Sequence, residues 1–332
     1  MKMNQHMRAL ILYFAVTAAA PVYGGQVCPF MEGLPVWEFE AYVVLPMLLI
    51  LRIRFMLQPA YVDKAPLLLR TLRQFKLDLG LFTLAGLGAS LVLHLLPGLP
   101  LWQSGSKLTL AFITGGLFAS LDLALARERD VINQAFANPE PMPPPATIFP
   151  RSRMFTWVAV SVTTLATVVL VLLIIRDLNW LAQQPASSRD FTGATQSVVI
   201  EILLVMGLLL AFSINLIFSA SRNMKTLFTM ETSVLESVSR GDLSVRAPVA
   251  TQDELGYIAG VTNTMIIRLR DYLRLRRGLD IAAEIQQNFL PEFAPEIEGI
   301  DMAGVSHFCE ETGGDFYDFI SVNGGVLVVI GD

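Results

Sequence analysis

The most specific chemistry in this sequence sits near residue 332. Asp315 stands in Gly313-Gly314-Asp315-Phe316-Tyr317-Asp318-Phe319, and Asp332 closes Val328-Val329-Ile330-Gly331-Asp332. Carboxylates at the ends of adjacent strands, reached through glycine turns, suit hard divalent cations such as Mg²⁺ or Mn²⁺. Asp315 and Asp332 are therefore the candidate metal ligands. Asp318 is expected to support the strand turn without ligating. His307 and Cys309 lie in the preceding loop and are not expected to be ligands. Taken alone, an aspartate after a glycine pair is most often a turn former.

The elements that must position these residues follow from pattern. Ile281, Ile285 and Phe289 recur every four residues on one helix face, and Pro291 stops that helix. Ile300–Val305 and Val326–Ile330 are expected as β-strands, the second so rich in β-branched residues that it should be buried. Gly313-Gly314 and Gly324-Gly325 are expected turns.

Everything upstream is dominated by lipid. Hydrophobic residues make up 53% of the chain and charged residues 16%, where a soluble domain has about a quarter charged. A bilayer core needs about 20 apolar residues as a helix. Leu77–Leu96, Leu108–Ala126, Met154–Ile175 and Val198–Phe218 meet this, and Trp37–Leu57 meets it with flanking Arg52 and Arg54 snorkelling. Ala9–Tyr23 follows a basic start and contains Ala18-Ala19-Ala20, as a secretion signal would. Pro21 disfavours cleavage there, so an uncleaved first helix is expected. That makes about six spans. Twelve Lys and Arg lie in one set of short loops, whereas only Lys107, Arg176 and Arg189 lie in the other. By the positive-inside rule the N-terminus and everything after Phe218 are cytoplasmic. Ala137–Pro150 is a Pro-rich extended spacer.

Glu38, Glu40, Asp78, Asp122 and Glu201 are acids within the spans, and His94 lies in the third. Each is a functional candidate by position. All five acids fall near span ends, so solvation at the interface is the expected role, with a helix–helix hydrogen bond for His94. Cys28 and Cys309 fall on opposite sides of the membrane and imply no disulfide. No long basic run interleaved with aromatics occurs, which excludes nucleic acid as a partner.

After Ser219 an amphipathic stripe, Leu227, Met230, Val234 and Val238, ends at Gly241, which suits a left-handed C-terminal position. A connector, Val245–Gln252, leads to a helix opening at Asp253-Glu254, with apolar positions Leu255, Ile258, Val261, Met265 and Leu269. The stretch from Gly241-Asp242-Leu243 through Pro248, Asp253-Glu254-Leu255-Gly256, Asn263 and Met265 resembles the HAMP linker of bacterial receptors. That resemblance implies a parallel homodimeric four-helix bundle, able to hold two packings and so to relay a signal.

The segments IAAEIQQNFLP, TGGDFYDF and VLVVIGD resemble the type 2C metal-dependent serine/threonine phosphatases, in their bacterial sporulation and stress-regulator branch. The match implies catalytic, metal-binding roles for Asp315 and Asp332 in a two-metal Mg²⁺ or Mn²⁺ site that activates water. It implies as substrate a phosphorylated regulatory protein of the anti-sigma-factor-antagonist type. It covers only about the first quarter of such a domain, so this stretch alone is expected to be inactive.

The expected architecture is mainly α. A polytopic sensor spans residues 1–218, a HAMP linker 219–277, and a partial α/β phosphatase sandwich 278–332. The whole would be a signal-transducing phosphatase of the bacterial inner membrane. A six-span receptor driving another output, such as an adenylate cyclase, is the alternative. No histidine occurs between His94 and His307, which excludes a histidine kinase within this chain.

Overall fold

The computed structural model describes residues 5–27, 36–96, 98, 105–137, 191–307 and 312–332, with scattered positions between 158 and 183. The fold is mainly helical. Two compact units emerge: Met1–Glu236 with Arg246–Val261, and Ser237–Val245 with Thr262–Asp332.

In the first unit, α1 runs Gln5–Val27, α2 Val36–Gln58, α3 Arg70–Leu95, α4 Ser106–Ala137 and α5 Phe191–Ser239. A wide π-turn at Pro59–Asp63 follows α2, with Lys64 N–H bonded to Pro59 O at 3.2 Å. Among the described residues two helices are long and apolar enough to cross a membrane, Leu67–Leu95 and Leu108–Ala137. The expectation of six spans is thus met in part. The expected span at 154–175 lies largely, and the Pro-rich spacer at 138–150 wholly, outside the described residues. So do Cys28, Cys309 and the side chain of Glu201.

α3 packs on α4, α1 on α4, and α2 on α3 and α1. Tyr13, Phe82, Leu93, Leu108 and Phe112 are almost completely buried among them. Small residues permit this closeness. A Cβ at Gly86 would meet Phe112 Cβ at 2.8 Å, and one at Gly116 would collide with Phe82 Cβ and lie 2.6 Å from its Cγ. Between membrane helices the hydrophobic drive is weak, so close backbone approach and van der Waals contact take its place.

The last expected span and the first amphipathic stripe lie on one helix, α5, of 49 residues. No Pro or Gly interrupts Ser219–Ser239, so nothing in the sequence forces a break there. The stripe on this helix also has a partner within the chain: Leu227 is buried in a cluster with Val131, Ile132 and Ala135 of α4.

The helix ends as the sequence indicates. Gly241 has φ +90°, with Gly241 N–H bonded to Val238 O and Asp242 N–H to Ser237 O. These are the paired bonds of a Schellman cap. Beyond it, the hydroxyl and then the backbone N–H of Ser244 donate to Asp242, holding its carboxyl below the usual range. Asp253 caps the next helix, α6 (Glu254–Phe289), accepting from Gly256 N–H at 3.3 Å.

On α6 the buried positions are Gly256, Ala259, Gly260, Thr262, Asn263 and Ile266. Ile258, Val261 and Met265, apolar positions of the implied dimeric bundle, are 44–48% exposed in the single chain.

In the second unit, β1 (Phe316–Val322) and β2 (Gly325–Gly331) form an antiparallel hairpin. Asn323-Gly324 is its two-residue loop, with Gly324 alone left-handed at φ +88°, a conformation open to glycine without strain. Ile300–Val305 is not a strand; Ile300 makes only an isolated bridge to Ile297. The strand β1 escapes a pattern reading because its glycine-rich approach reads as loop. β2 is not buried as expected: Leu327, Val328 and Ile330 are 51, 49 and 82% exposed. A two-stranded ribbon cannot cover both of its own faces. The phosphatase sandwich is not shown.

Candidate functional site

Asp315 and Asp332 flank the last register pair of the hairpin, Phe316↔Gly331. They therefore occupy the same open end of the ribbon, and both are exposed. A Cβ at Gly314 would come within 3.0 Å of Asp332 Oδ1, so the glycine lets this carboxylate approach the turn. Gln286 of α6 grips that turn from the helix side: its side-chain amide donates to Gly313 O and accepts from Gly313 N–H at 3.2 Å. Asp318 lies further along β1, two residues from Phe316. Its carboxylate accepts from Phe319 N–H at 2.7 Å.

Two carboxylates are suitable oxygen donors for a hard cation, but such ions take six or more ligands. Among the described residues no group of three or more His, Cys, Asp or Glu could hold a metal. Asp315 and Asp332 could supply part of a coordination shell, not all of it.

A second constellation lies inside the membrane unit, and the sequence alone understates it. Asp78 is fully buried and accepts three hydrogen bonds: from Arg54 Nε at 2.7 Å, Tyr13 hydroxyl at 2.9 Å and Gln74 Nε2 at 2.6 Å. Gln58 donates in turn to Gln74 at 2.7 Å. One carboxylate thereby ties α1, α2 and α3 together. Asp122, 3% exposed, takes a forked pair from Arg8, Nε at 2.7 Å and Nη2 at 2.6 Å, and a third bond from Asn215 at 3.2 Å. That set joins α1, α4 and α5. Asn223 extends the chain of contacts, donating to Glu128 at 2.9 Å and accepting from Arg129 at 3.1 Å.

Interface solvation is the expected role of Asp78 and Asp122. The structure corrects this to buried ion pairs. Charges in a low-dielectric bundle persist only when paired and fully hydrogen-bonded, and these are. The sequence signal is the matching set of cations, Arg8 and Arg54, inside or beside the first two apolar segments. Glu38 is half-buried, and Glu40 and His94 are exposed.

Long apolar helices stitched by buried ion pairs, the last of them continuing into an amphipathic stretch, are the architecture of a helical membrane-associated domain. Residues 12–204 match the model of the MASE10 family, a membrane-associated sensory domain, and the chain belongs to that family. It is a membrane protein. A cyclic di-GMP phosphodiesterase from Vibrio cholerae serotype O1 is 35% identical over 100 residues, which are 30% of this chain and 20% of that protein. The match thus spans about a fifth of the relative's length. No solved structure matches.

These findings overturn the two family resemblances drawn from motifs. Neither a HAMP linker nor a type 2C phosphatase is found, and the relative is named as a cyclic di-GMP phosphodiesterase, not as a protein phosphatase. The phosphatase activity, its phosphoprotein substrate and the cyclase alternative fall with them. The structure supplies physical reasons. The first relay helix packs on α4 through Leu227, and of the two strands expected Val326–Ile330 lies within β2 while Ile300–Val305 forms none.

Proposed function

We propose that this chain is the sensory and transmitting part of a multi-pass membrane protein of cyclic di-GMP signalling, whose output is phosphodiester hydrolysis. The similarity to the Vibrio cholerae phosphodiesterase carries the reading, and membership of a sensory family supports it. The loop charge asymmetry supports a cytoplasmic N-terminus and a cytoplasmic region after Phe218. α5 suits transmission, because a single rigid helix conveys a shift or rotation in the membrane unit without a joint to absorb it. Asp315 and Asp332 would offer two oxygens to a cation such as Mg²⁺, which when bound would polarise a phosphodiester oxygen. Gln286 would hold the turn that presents Asp315.

The test is the cyclic di-GMP content of bacteria producing the protein, with hydrolysis by their isolated membranes. The nucleotide should fall several-fold, and membranes should linearise it in a Mg²⁺-dependent way. Asp315→Asn with Asp332→Asn should weaken the Mg²⁺ dependence while leaving membrane insertion intact. Unchanged nucleotide levels together with inert membranes would remove the reading.

A homodimer is proposed on a separate observation. Ile258, Val261, Met265, Tyr272, Leu275 and Leu279 follow one heptad seam along α6 and are 37–65% exposed, with a gap in the apolar run at Arg268. Single cysteines at Met265 and Leu275 should crosslink between copies in membranes, and one at Ile266, which is buried, should not. Equal crosslinking at all three positions would argue against a defined seam.

A further inference from the structure

α1 and α2 leave a groove of about 280 Å³ between them, near the lower limit of roughly 300 Å³ for small-molecule pockets. Leu10, Phe14, Val44 and Leu48 form its apolar walls, and all four are also 37–75% exposed. The groove therefore opens sideways from the bundle, to the medium around a membrane helix. It extends along α1 from Leu10 to Ala18, about 12 Å at ~1.5 Å per residue.

Its polar lining is all of one kind. Tyr13, Thr17 and Glu40 line it. The Tyr13 hydroxyl proton is given to Asp78, and the Thr17 hydroxyl proton to Tyr13 O at 2.7 Å. Neither hydroxyl therefore offers its proton to a ligand. Glu40, on the α2 wall, is an acceptor and, among the described residues, the only charged one lining the groove. A molecule here must be slender and apolar, and its head must donate.

We propose that this groove binds a membrane-borne amphiphile with a hydrogen-bond-donating head, an alkyl ammonium or a long-chain alcohol, seated with its head toward Glu40. The inference deepens the sensory reading above and rests on it for its biological meaning, not for the binding itself. Tyr13 links occupancy to the rest of the unit. It lines the groove, binds Asp78 of α3, and packs against Phe82 at 4.2 Å between ring centroids. A ligand pressing on Tyr13 thus acts on the contact that fixes three helices.

The test uses the full chain in lipid nanodiscs with a diazirine-tagged dodecylamine at low mole fraction. Labelling is mapped by mass spectrometry and competed with unlabelled dodecylamine, dodecanol and dodecanoate. Labels should concentrate on α1 and α2, and be competed by the amine and the alcohol but not by the carboxylate. Glu40→Gln should weaken the amine about tenfold, the worth of one charge-assisted hydrogen bond. Leu48→Trp, which fills the groove, should abolish labelling there, while Leu84→Trp on the exposed side of α3 should not. Labels spread evenly over exposed faces, or equal competition by dodecanoate, would mean an ordinary lipid chain fills the groove and would overturn the proposal. Because cyclic di-GMP is not measured, this failure is distinct from failure of the sensory reading.

Discussion

Asp78→Ala should destabilise the membrane unit by about 3–5 kcal/mol, the cost of breaking a buried ion pair by removing one member. Arg54 would keep its charge with only 3% of its side chain exposed. Tyr13 and Gln74 would each lose the acceptor they now bond. The paired substitution Asp78→Leu with Arg54→Met should cost much less, because replacing both members by apolar groups removes the desolvation burden along with the attraction. Denaturation midpoints in mixed micelles, read for both singles and the double, decide this. A double variant as unstable as the sum of the singles would show that the pair is held by something other than mutual neutralisation. Asp122 offers a milder comparison, since its partner Arg8 keeps 21% side-chain exposure and could turn to solvent.

Why Asp78 is not legible as a buried ion-pair member is instructive. Hydropathy finds spans, and on that ground α1, α2 and α4 are placed within four residues of their observed starts, and α3 within seven. It is silent on which side of a helix faces its neighbours. Asp78 sits one residue inside an apolar run, where headgroup water is as natural a partner as an arginine. Arg54 reads equally as a snorkelling end residue. Only the packing of α2 on α3 separates these readings, by bringing the two to 2.7 Å. The helix-end signals are far more reliable because they are local. Gly241 and Asp253 each act within four residues, and each does in the structure what its chemistry requires.

The C-terminal motifs show the reverse limit. Their spacing places Asp315 and Asp332 at one strand edge, and the hairpin register agrees. The inference from that edge to a named enzyme does not survive, because short glycine–aspartate motifs are compatible with several metal-dependent chemistries. The bidentate hold of Gln286 on Gly313 has no sequence signal beyond its place one turn before the helix end.

The second large effect concerns the α3–α4 contact, where glycine is required by space and not by backbone conformation. A Cβ at Gly116 would collide with Phe82 Cβ and lie 2.6 Å from its Cγ. These atoms are the root of the side chain, so rotating the ring cannot clear them. Gly116→Ala must therefore push the helices apart, at about 3 kcal/mol, the upper part of the usual range for overpacking. Gly80→Ala, on α3 with nothing within 4 Å of the new methyl, should be neutral or stabilising by up to about 1 kcal/mol through its better helix propensity. Phe82→Ala should rescue Gly116→Ala only slightly, because the colliding Cβ remains while the ring's contact with Tyr13 is lost. The same micelle denaturation, run on Gly80→Ala, Gly116→Ala and the double with Phe82→Ala, reads all three. Equal effects at the two glycines would mean that α3 and α4 are not held at this separation. A full rescue by Phe82→Ala would place the clash in the ring instead of at its root.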